Sequence, residues 1–519
     1  MSTAERADVV VVGSGHNALV AACRLARAGL DVEVIERDTV IGGAVSTVQR
    51  WPGYRVDRGA GLHVMVRHTE LIEELELGAC GLRYLDADPW AYVPAVDDRP
   101  GIVFATDLER TVDSIEKACG GADAAAYRRL VGELTPMCRR LLSIFRDSPG
   151  PARIARRGRG LLRAGGGAET ARWFLQPADH LLDSTFRDER LKAALAWLVS
   201  QSGPPAHEPG TVGHLMWPAL LHLRPPGRPV GGSGMLTAAL AERLRRDGGR
   251  ISTGDAAVAV VTDGGRVSGV RTQGGRTVHA RAVLSGTHVL TTLDLLAAAG
   301  LEPVGARQRI RVGDGIGAAV RLAGSTLPGY PDAPSDALHG MQLLVADRVE
   351  LRRAYADWLV GRPPARPAVL AMTPTAQDPT LAPPGRHTIT LWAQWHRYDL
   401  AAGHWDDLRA ETARSAIEQV ERYAPGFAAG VTDTWVQTPV DLERELDLRR
   451  GNVMHVEMAL DAMFGLRPLP EMAGYRGPLP GLYLTGASTH PGGGVFGASG
   501  ENAARVVLAD LRRRGGRGN

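Results

Sequence analysis

The 519-residue sequence predicts an α/β fold in which a domain with a parallel sheet and a β-meander is interleaved with an α+β domain. Three observations predict this architecture. A buried strand, a glycine turn and a helix follow one another near the N-terminus. Three short strands separated by glycine turns lie near the middle, and a strand, a glycine-rich loop and a helix lie near the C-terminus.

The N-terminal unit begins with four consecutive valines, residues 9–12, which predict a strand buried on both faces. The spacing G-x-G-x-x-A follows at Gly13, Gly15 and Ala18. Residues 17–28 are rich in alanine and leucine, so they predict a helix. In such a turn the glycines let a pyrophosphate approach the backbone at the helix N-terminus. The unit therefore predicts a Rossmann-type dinucleotide site.

A second predicted strand ends at Glu36, 23 positions after Gly13, where a carboxylate suits the ribose hydroxyls of an adenosine. Arg37 and the pair Gly42-Gly43 continue the motif. This extension favours flavin adenine dinucleotide (FAD), whose pyrophosphate needs a second loop of small residues. NAD stays an alternative, because Glu36 argues only against the 2′-phosphate of NADP. An ordinary glycine-rich turn without a ligand is the other alternative.

The next segment, residues 54–65, places Gly59, Gly61 and His63 in a glycine-punctuated stretch. It is either a plain turn or a backbone packed near a flavin. Residues 66–224 are helix-prone and rich in arginine, with a basic Gly/Arg/Pro patch at residues 148–167. A solvated loop is favoured there over contact with an anionic membrane surface, because apolar anchors are few.

In the middle of the chain, residues 231–251 predict a loop, an amphipathic helix and a Gly-Gly stop. Residues 256–286 predict three strands separated by Asp-Gly-Gly and Gln-Gly-Gly turns. Val258 on the first of these strands either pairs its backbone with an adenine edge or is a core valine. Residues 313–318 repeat the G-x-G-x-x-A spacing, but glycine and proline follow too soon for a helix. They predict a glycine-bearing strand and not a second nucleotide site.

Near the C-terminus, residues 482–484 predict a buried strand, 486–500 a glycine-rich loop, and the residues from there to about Arg513 a helix. The partial positive charge of that helix N-terminus would face an anionic group. In a flavoenzyme this group is the N1–C2=O edge of the isoalloxazine, where charge gathers on reduction. A sharp strand-to-helix turn is the alternative, although it explains only one or two of the glycines.

Composition excludes several classes of protein. The net charge is only +3, and no aromatic-basic interleaving indicates nucleic acid. The four cysteines lack C-x-x-C spacing, so neither a redox disulfide nor a metal site is predicted. The only lysines, Lys117 and Lys192, both fall on predicted exposed helices, which disfavours an amine-oxidase-type lysine beside the flavin. Few cysteines, no signal peptide and no long apolar run predict a cytoplasmic protein.

The chain resembles the phytoene desaturase-related FAD-dependent oxidoreductases, in the branch of the pyridine nucleotide-disulfide oxidoreductase domain-containing protein 2. Four segments spread from end to end carry the resemblance: "VVGSGHNALVAACRLARAGLDVEVIERDTVIGG", "GGSGML", "GNVMHVEMALDAMFGLRP" and "GLYLTGASTHPGGGVFGASGENAA". Ala18 replaces the usual third glycine, a conservative departure that still suits FAD. The disulfide chemistry in the branch's name does not transfer, because the cysteine pair is absent.

The resemblance implies a non-covalent FAD in a Rossmann-type domain made of residues 1–75, 225–295 and 470–519. Residues 76–224 and 296–469 would form the substrate domain, with a helical portion. By position, the resemblance implies cofactor contacts at Gly13, Ser14, Gly15, His16, Asn17, Ala18, Glu36, Arg37, Gly42, Gly43, Ala44, Val258, Gly486, Ala487, Gly493, Gly494, Val495 and Phe496.

The resemblance further implies hydride transfer from a substrate C–H bond to flavin N5, with loss of a proton from the neighbouring carbon. Candidate acid–base residues are His490, His63 and His455. His490 is the first choice because it lies in the flavin loop, although a histidine there can also serve only to hydrogen-bond the loop. His455 can instead shape a pocket beside Glu457.

The predicted function is therefore that of an FAD-dependent dehydrogenase or desaturase, which forms a double bond in a small or lipid-like metabolite. A flavin-dependent saturase or redox-neutral isomerase is one alternative. A flavin-loaded interaction protein with little turnover is another. No nucleic-acid partner is predicted, and the sequence is compatible with a dimer.

Overall fold

A computed structural model describes residues 5–95, 97–149, 159 and 168–515 and confirms the α/β class. Its strands are β1 (Glu5–Val12), β2 (Val32–Ile35), β3 (Thr47–Trp51), β4 (Tyr54–Asp57), β5 (Tyr84–Asp86), β6 (Ala91–Val93), β7 (Ile102–Phe104), β8 (Gly227–Pro229), β9 (Arg250–Ser252), β10 (Ala257–Asp263), β11 (Arg266–Thr272), β12 (Thr277–Ser285), β13 (Gly317–Gly324), β14 (Met341–Leu344), β15 (Val369–Met372), β16 (His387–Gln394), β17 (Val431–Gln437) and β18 (Leu482–Leu484).

The α-helices lie between and around these strands. They are α1 (His16–Arg27), α2 (Leu71–Glu74), α3 (Leu108–Cys119), α4 (Gly121–Phe145), α5 (Ala168–Leu175), α6 (Ala178–Thr185), α7 (Glu189–Ser200), α8 (Met216–Leu223), α9 (Met235–Arg246), α10 (Val289–Ala297), α11 (Ala306–Arg309), α12 (Arg348–Leu359), α13 (Trp405–Tyr423), α14 (Pro439–Leu446) and α15 (Ala498–Gly515).

The first sheet has seven strands in the order β10-β11-β12-β1-β2-β9, with β18 also paired to β12. Strands β18, β12, β1, β2 and β9 run parallel, whereas β10 and β11 form an antiparallel meander on the N-terminal half of β12. Residues 9–12 are all buried, as the run of valines predicts for a central strand covered on both faces. This sheet draws on the N-terminal, middle and C-terminal parts of the sequence.

The second sheet has seven strands in the order β17-β13-β16-β15-β14-β6-β7. Only the β14–β6 pair is parallel. Strands β5, β6 and β7 correct the sequence-based view of residues 66–224 as helical. Each has only three residues, which is too short for an alternating pattern to stand out in the sequence.

Two contacts join parts of the fold that are distant in the sequence. Helices α1 and α15 pack so closely that a Cβ on Gly500 would lie 2.1 Å from the Asn17 carbonyl oxygen. Buried Arg321 of β13 donates hydrogen bonds to the carbonyls of Asp57 and Arg58, at 3.0 and 2.9 Å. The first contact brings the two ends of the chain together, and the second ties the second sheet to the region after β4.

The predicted basic loop at residues 148–167 lies almost wholly outside the described residues. Over the part of the chain that the structure describes, no helix combines the length and apolar character needed to cross a bilayer.

Candidate cofactor and active site

The turn between β1 and α1 faces open space. Gly13 adopts φ +88°, and Gly15 caps α1 without any side-chain hydrogen bond. A Cβ built on Gly15 meets no atom of the described residues within 4 Å, and one on Gly43 meets only the Gly15 Cα, at 3.9 Å. Gly42, in contrast, is packed, since its Cβ would lie 2.4 Å from the Val45 carbonyl oxygen. The Gly15 and Gly43 backbones thus lie within van der Waals distance of each other, and the open space beside Gly15, at the N-terminus of α1, suits a pyrophosphate.

Glu36 fixes these two loops relative to each other. Its Oε2 accepts hydrogen bonds from the Ser14 amide at 2.8 Å and the Ser14 hydroxyl at 2.7 Å, while Oε1 accepts the Asp38 amide at 2.8 Å. The Ser14 hydroxyl in turn accepts the Gly42 amide, at 3.1 Å. A carboxylate oxygen can accept further bonds, so Glu36 keeps capacity for ribose hydroxyls. Neighbouring Arg37 is exposed and donates to the Glu445 carbonyl.

The remaining residues of the N-terminal turn follow Gly15 on α1. His16 and Asn17 hydrogen-bond each other through their side chains at 3.1 Å, and Asn17 Oδ1 is buried without a partner among the described residues. Burial lowers the pKa of His16 to about 4, so the ring is neutral at pH 7. Ala18 is buried beneath Gly286, whose Cβ would lie 2.5 Å from that of Ala18.

The strand β10 carries Val258 at a β-bulge. Ala257 pairs with Thr272 and Ala259 with Arg271, so Val258 falls between the two register pairs, and its side chain is 38% exposed. A bulged residue has backbone groups outside the regular ladder. The exposure of Val258 disfavours the core-valine alternative.

The segment after β4 contributes two glycines with different surroundings. A Cβ on Gly59 would lie 2.4 Å from the Ala44 carbonyl oxygen, so Gly59 allows this strand end to pack against the second small-residue loop. Gly61 faces Met372 of β15, whose Cε would lie 3.2 Å from an added Cβ. Gly61 therefore lies against the second sheet, whereas Gly59 lies against the loop that contains Ala44.

The C-terminal loop is organised around Ser499, at the start of α15. The Ser499 hydroxyl accepts a hydrogen bond from the Gly486 amide at 3.0 Å and shares another with the Thr489 hydroxyl at 2.7 Å. Gly494 adopts φ +111° and Val495 φ +52°, and the Val495 carbonyl accepts the Val66 amide at 2.9 Å. The loop that contains the predicted contacts Gly486, Ala487, Gly493, Gly494, Val495 and Phe496 thus stands beside the N-terminus of α1, which α15 contacts.

His490 lies in this loop and is buried between Phe145 and Phe464. Its Nε2 donates to the Ile144 carbonyl at 3.3 Å, and Nδ1 has no partner among the described residues. Burial lowers its pKa to about 4. Because a carbonyl only accepts, the neutral ring keeps its lone pair on Nδ1.

His63 and His455 are more firmly bound to protein groups. His63 is fully buried, and its ring nitrogens lie 2.7 Å from the Tyr84 and Ser233 hydroxyls. Burial lowers its pKa to about 3. His455 Nδ1 lies 3.1 Å from the Ser488 hydroxyl, and burial, with the nearby His288 and Arg467, holds the pKa of His455 well below its usual range.

The expectation that both lysines are exposed is wrong for Lys192. It is only 8% exposed, because α7 packs it against the protein, where it pairs with Glu189 at 3.0 Å and Asp183 at 3.4 Å. These carboxylates occupy its ammonium group. The other lysine, Lys117, is exposed on α3.

Sequence reasoning missed several buried polar residues around the loop. Arg467 is fully buried and donates a hydrogen bond to the Ala487 carbonyl. The Ser488 hydroxyl accepts a hydrogen bond from the Val289 amide at 3.0 Å. The rings of His288 and His455 stack with their centroids 4.9 Å apart. Arg467 belongs to the quoted "GLRP" run, but arginine is so common in this chain that the residue type alone gave no signal.

Comparisons with known proteins agree with this geometry. Residues 11–75 match the family of NAD(P)-binding Rossmann-like domains. The chain is 34% identical to the pyridine nucleotide-disulfide oxidoreductase domain-containing protein 2 of Rattus norvegicus, over 97% of this chain and 94% of that protein. It is 27% identical to a hydroxyneurosporene desaturase of Cereibacter sphaeroides, over 98% of both chains. A solved putrescine oxidase variant shares the fold, with a TM-score of 0.64 and 16% identity over 99% of this chain and 100% of that one.

Proposed function

Because the chain belongs to the family of the pyridine nucleotide-disulfide oxidoreductase domain-containing protein 2, and is thus an oxidoreductase with desaturase relatives, we propose that it is an FAD-dependent dehydrogenase. It would form a double bond in a small or lipid-like metabolite. The observation that carries the cofactor assignment is the open space beside Gly15, where the bare backbone of Gly43 lies alongside and Glu36 binds the neighbouring Ser14. FAD would bind there non-covalently.

Different residues would bind different parts of the cofactor. Glu36 accepts hydrogen bonds from the ribose hydroxyls, and the backbone of Gly15 and Gly43 with the N-terminus of α1 binds the pyrophosphate. The Val258 bulge offers backbone groups to the adenine edge. The loop at residues 486–496 lies against the flavin ring, and bound FAD supplies a hydride acceptor at N5.

His490 is the proposed acceptor of the proton that leaves the neighbouring carbon. Its Nδ1 is the unpartnered, unprotonated ring nitrogen, which is the form that a base requires. Its lowered pKa keeps Nδ1 unprotonated at neutral pH and also makes His490 a weak base. We do not assign proton transfer to His63, whose two ring nitrogens are already occupied by hydroxyl groups.

The test is anaerobic reduction of the FAD-loaded protein by candidate metabolites, followed by the loss of the flavin absorbance band. Bleaching by a saturated metabolite, with the double-bonded product identified by mass spectrometry, supports the dehydrogenase. Bleaching only by NAD(P)H or dithionite would favour a saturase or isomerase. A colourless protein that does not bind added FAD contradicts the cofactor assignment itself.

A further inference from the structure

Arg467 is a buried cation attached to the C-terminal loop. It is 0% exposed and lies between the 454–462 segment and that loop. Its guanidinium donates to five backbone carbonyls, at distances of 2.6 to 3.2 Å: those of Met454, Val456, Glu457, Ala462 and Ala487. Two of these bonds, from Nε at 3.1 Å and Nη2 at 2.6 Å, reach Ala487.

The charge of Arg467 lacks a matching carboxylate. None of the ion pairs between described residues involves it, and burial alone lowers its pKa, to about 9, with no acidic neighbour opposing that effect. The other fully buried arginines differ, since the carboxylate of Asp57 raises the pKa of both Arg228 and Arg321 against the effect of burial. A buried cation satisfied only by carbonyl dipoles retains a strong field around it.

Hydride transfer would create the missing negative charge close by. A hydride brings two electrons and one proton to the ring, so the reduced ring carries one net negative charge until a second proton arrives. In the proposed function this ring lies against residues 486–496, and Arg467 is bonded to the carbonyl of the second residue of that loop.

We propose that Arg467 is a positioning residue that raises the reduction potential of the bound flavin, by placing an uncompensated positive charge behind the Ala487 peptide. The charge stabilises the anionic reduced ring more than the neutral oxidised ring. The hydrogen bond also polarises the Ala487 peptide, which extends the favourable field toward the ring. This inference rests on the proposed function, because it requires bound FAD.

The experiment measures the two-electron midpoint potential of the FAD-loaded protein for wild type, Arg467→Gln and Arg467→Lys. We expect Arg467→Gln to shift the reduction equilibrium at least about tenfold toward oxidised flavin, a fall of about 30 mV. Arg467→Lys keeps the charge, so its potential should stay near that of wild type even if the loss of hydrogen bonds weakens FAD binding. Equal falls in both variants, or no fall in Arg467→Gln, would overturn the proposal.

Arg190→Gln is the matched control. Arg190 is also buried and donates to backbone carbonyls, those of Pro100 and Ala118, but it lies on α7 outside the C-terminal loop. Its replacement should leave the potential unchanged. If Arg467→Gln does not fold, the midpoint potential of the wild type still tests the proposal. A wild-type potential at or below that of free FAD under the same conditions overturns it. A wild type without FAD affinity would instead contradict the proposed function.

Discussion

Glu36 illustrates how one carboxylate can serve both the fold and a ligand. It already binds three donor groups of Ser14 and Asp38, so its position is fixed before any cofactor arrives. Preorganisation of this kind reduces the entropic cost of binding. The same residue therefore contributes to loop geometry and to affinity, and a substitution tests both.

We expect Glu36→Gln to raise the Kd for FAD about tenfold or more, since hydrogen bonds to a charged acceptor contribute about 1.5–3 kcal/mol. Titration followed by flavin fluorescence measures the change. Glu33→Gln is the control, because Glu33 lies on β2, is equally buried, and contacts Ser252 and Arg276 instead of the glycine loops. Equal affinities of Glu36→Gln and wild type would contradict the ribose assignment.

His490 and His63 should respond differently to alanine substitution. His490→Ala removes the unpartnered Nδ1 and is expected to lower kcat by about 100-fold or more, the lower end of the range for general base catalysis, with FAD content retained. His63→Ala leaves the Tyr84 and Ser233 hydroxyls without their shared partner and is expected to lower stability by about 1–3 kcal/mol. Turnover assays and urea denaturation separate the two effects. Undiminished turnover of FAD-loaded His490→Ala would rule out its proposed role.

At the scale of elements, the contact between α1 and α15 decides whether the two halves of the cofactor site meet. Gly500→Ala would place a methyl group against the Asn17 carbonyl, and overpacking of this kind costs about 1–3 kcal/mol. We expect a lower free energy of unfolding and weaker FAD binding, both measurable on the same preparation.

Gly132→Ala is the corresponding control in α4. A Cβ there meets no described atom within 4 Å, so the substitution should stabilise the helix by up to about 1 kcal/mol, as alanine favours helix over glycine. If Gly500→Ala is as stable as Gly132→Ala, the two helices do not require their close approach.

The sequence predicts the elements of the cofactor domain well, because each carries a local signal. The valine run, the glycine turns of the meander and the C-terminal helix all appear at the predicted places. The edge of the second sheet was not predictable, since β6 and β7 have three residues each, and β6, to which β7 pairs, is held in the sheet by the distant strand β14.

The candidate site shows the same division. The bare glycines and Glu36 follow a motif whose spacing implies their geometry. The environment of Arg467 depends on carbonyls brought together by tertiary folding, and no local pattern specifies it. The side chain of His490 likewise hydrogen-bonds to the Ile144 carbonyl at the C-terminal end of α4, more than 340 positions earlier in the chain.

At the scale of the whole molecule, buried neutral histidines make stability depend on pH. His63, His288, His396 and His490 are at most 1% exposed, and burial lowers their pKa values to about 3, 4, 4 and 4. In the unfolded chain histidine has a pKa of about 6.5. Between these values the unfolded state binds more protons, so the free energy of unfolding falls as the pH falls.

We therefore expect these histidines not to reduce the free energy of unfolding above about pH 6.5. Below that pH the free energy of unfolding should fall progressively down to about pH 4, by up to about 2 kcal/mol per histidine at pH 5. Thermal unfolding at pH 7, 6 and 5 measures the trend. Repetition at higher salt distinguishes histidine titration from general charge repulsion, which salt screens. The same Tm at pH 7 and pH 5 would contradict this account.

The pairing of β18 with β12, and the packing of α15 on α1, join the last elements of the chain to much earlier ones. During synthesis the N-terminal turn leaves the ribosome hundreds of residues before the final strand and helix exist. A nascent chain therefore lacks these contacts until β18 and α15 have been synthesised. A chain truncated before β18 would lack both contacts, and with them the C-terminal part of the proposed cofactor site, however intact its opening motif.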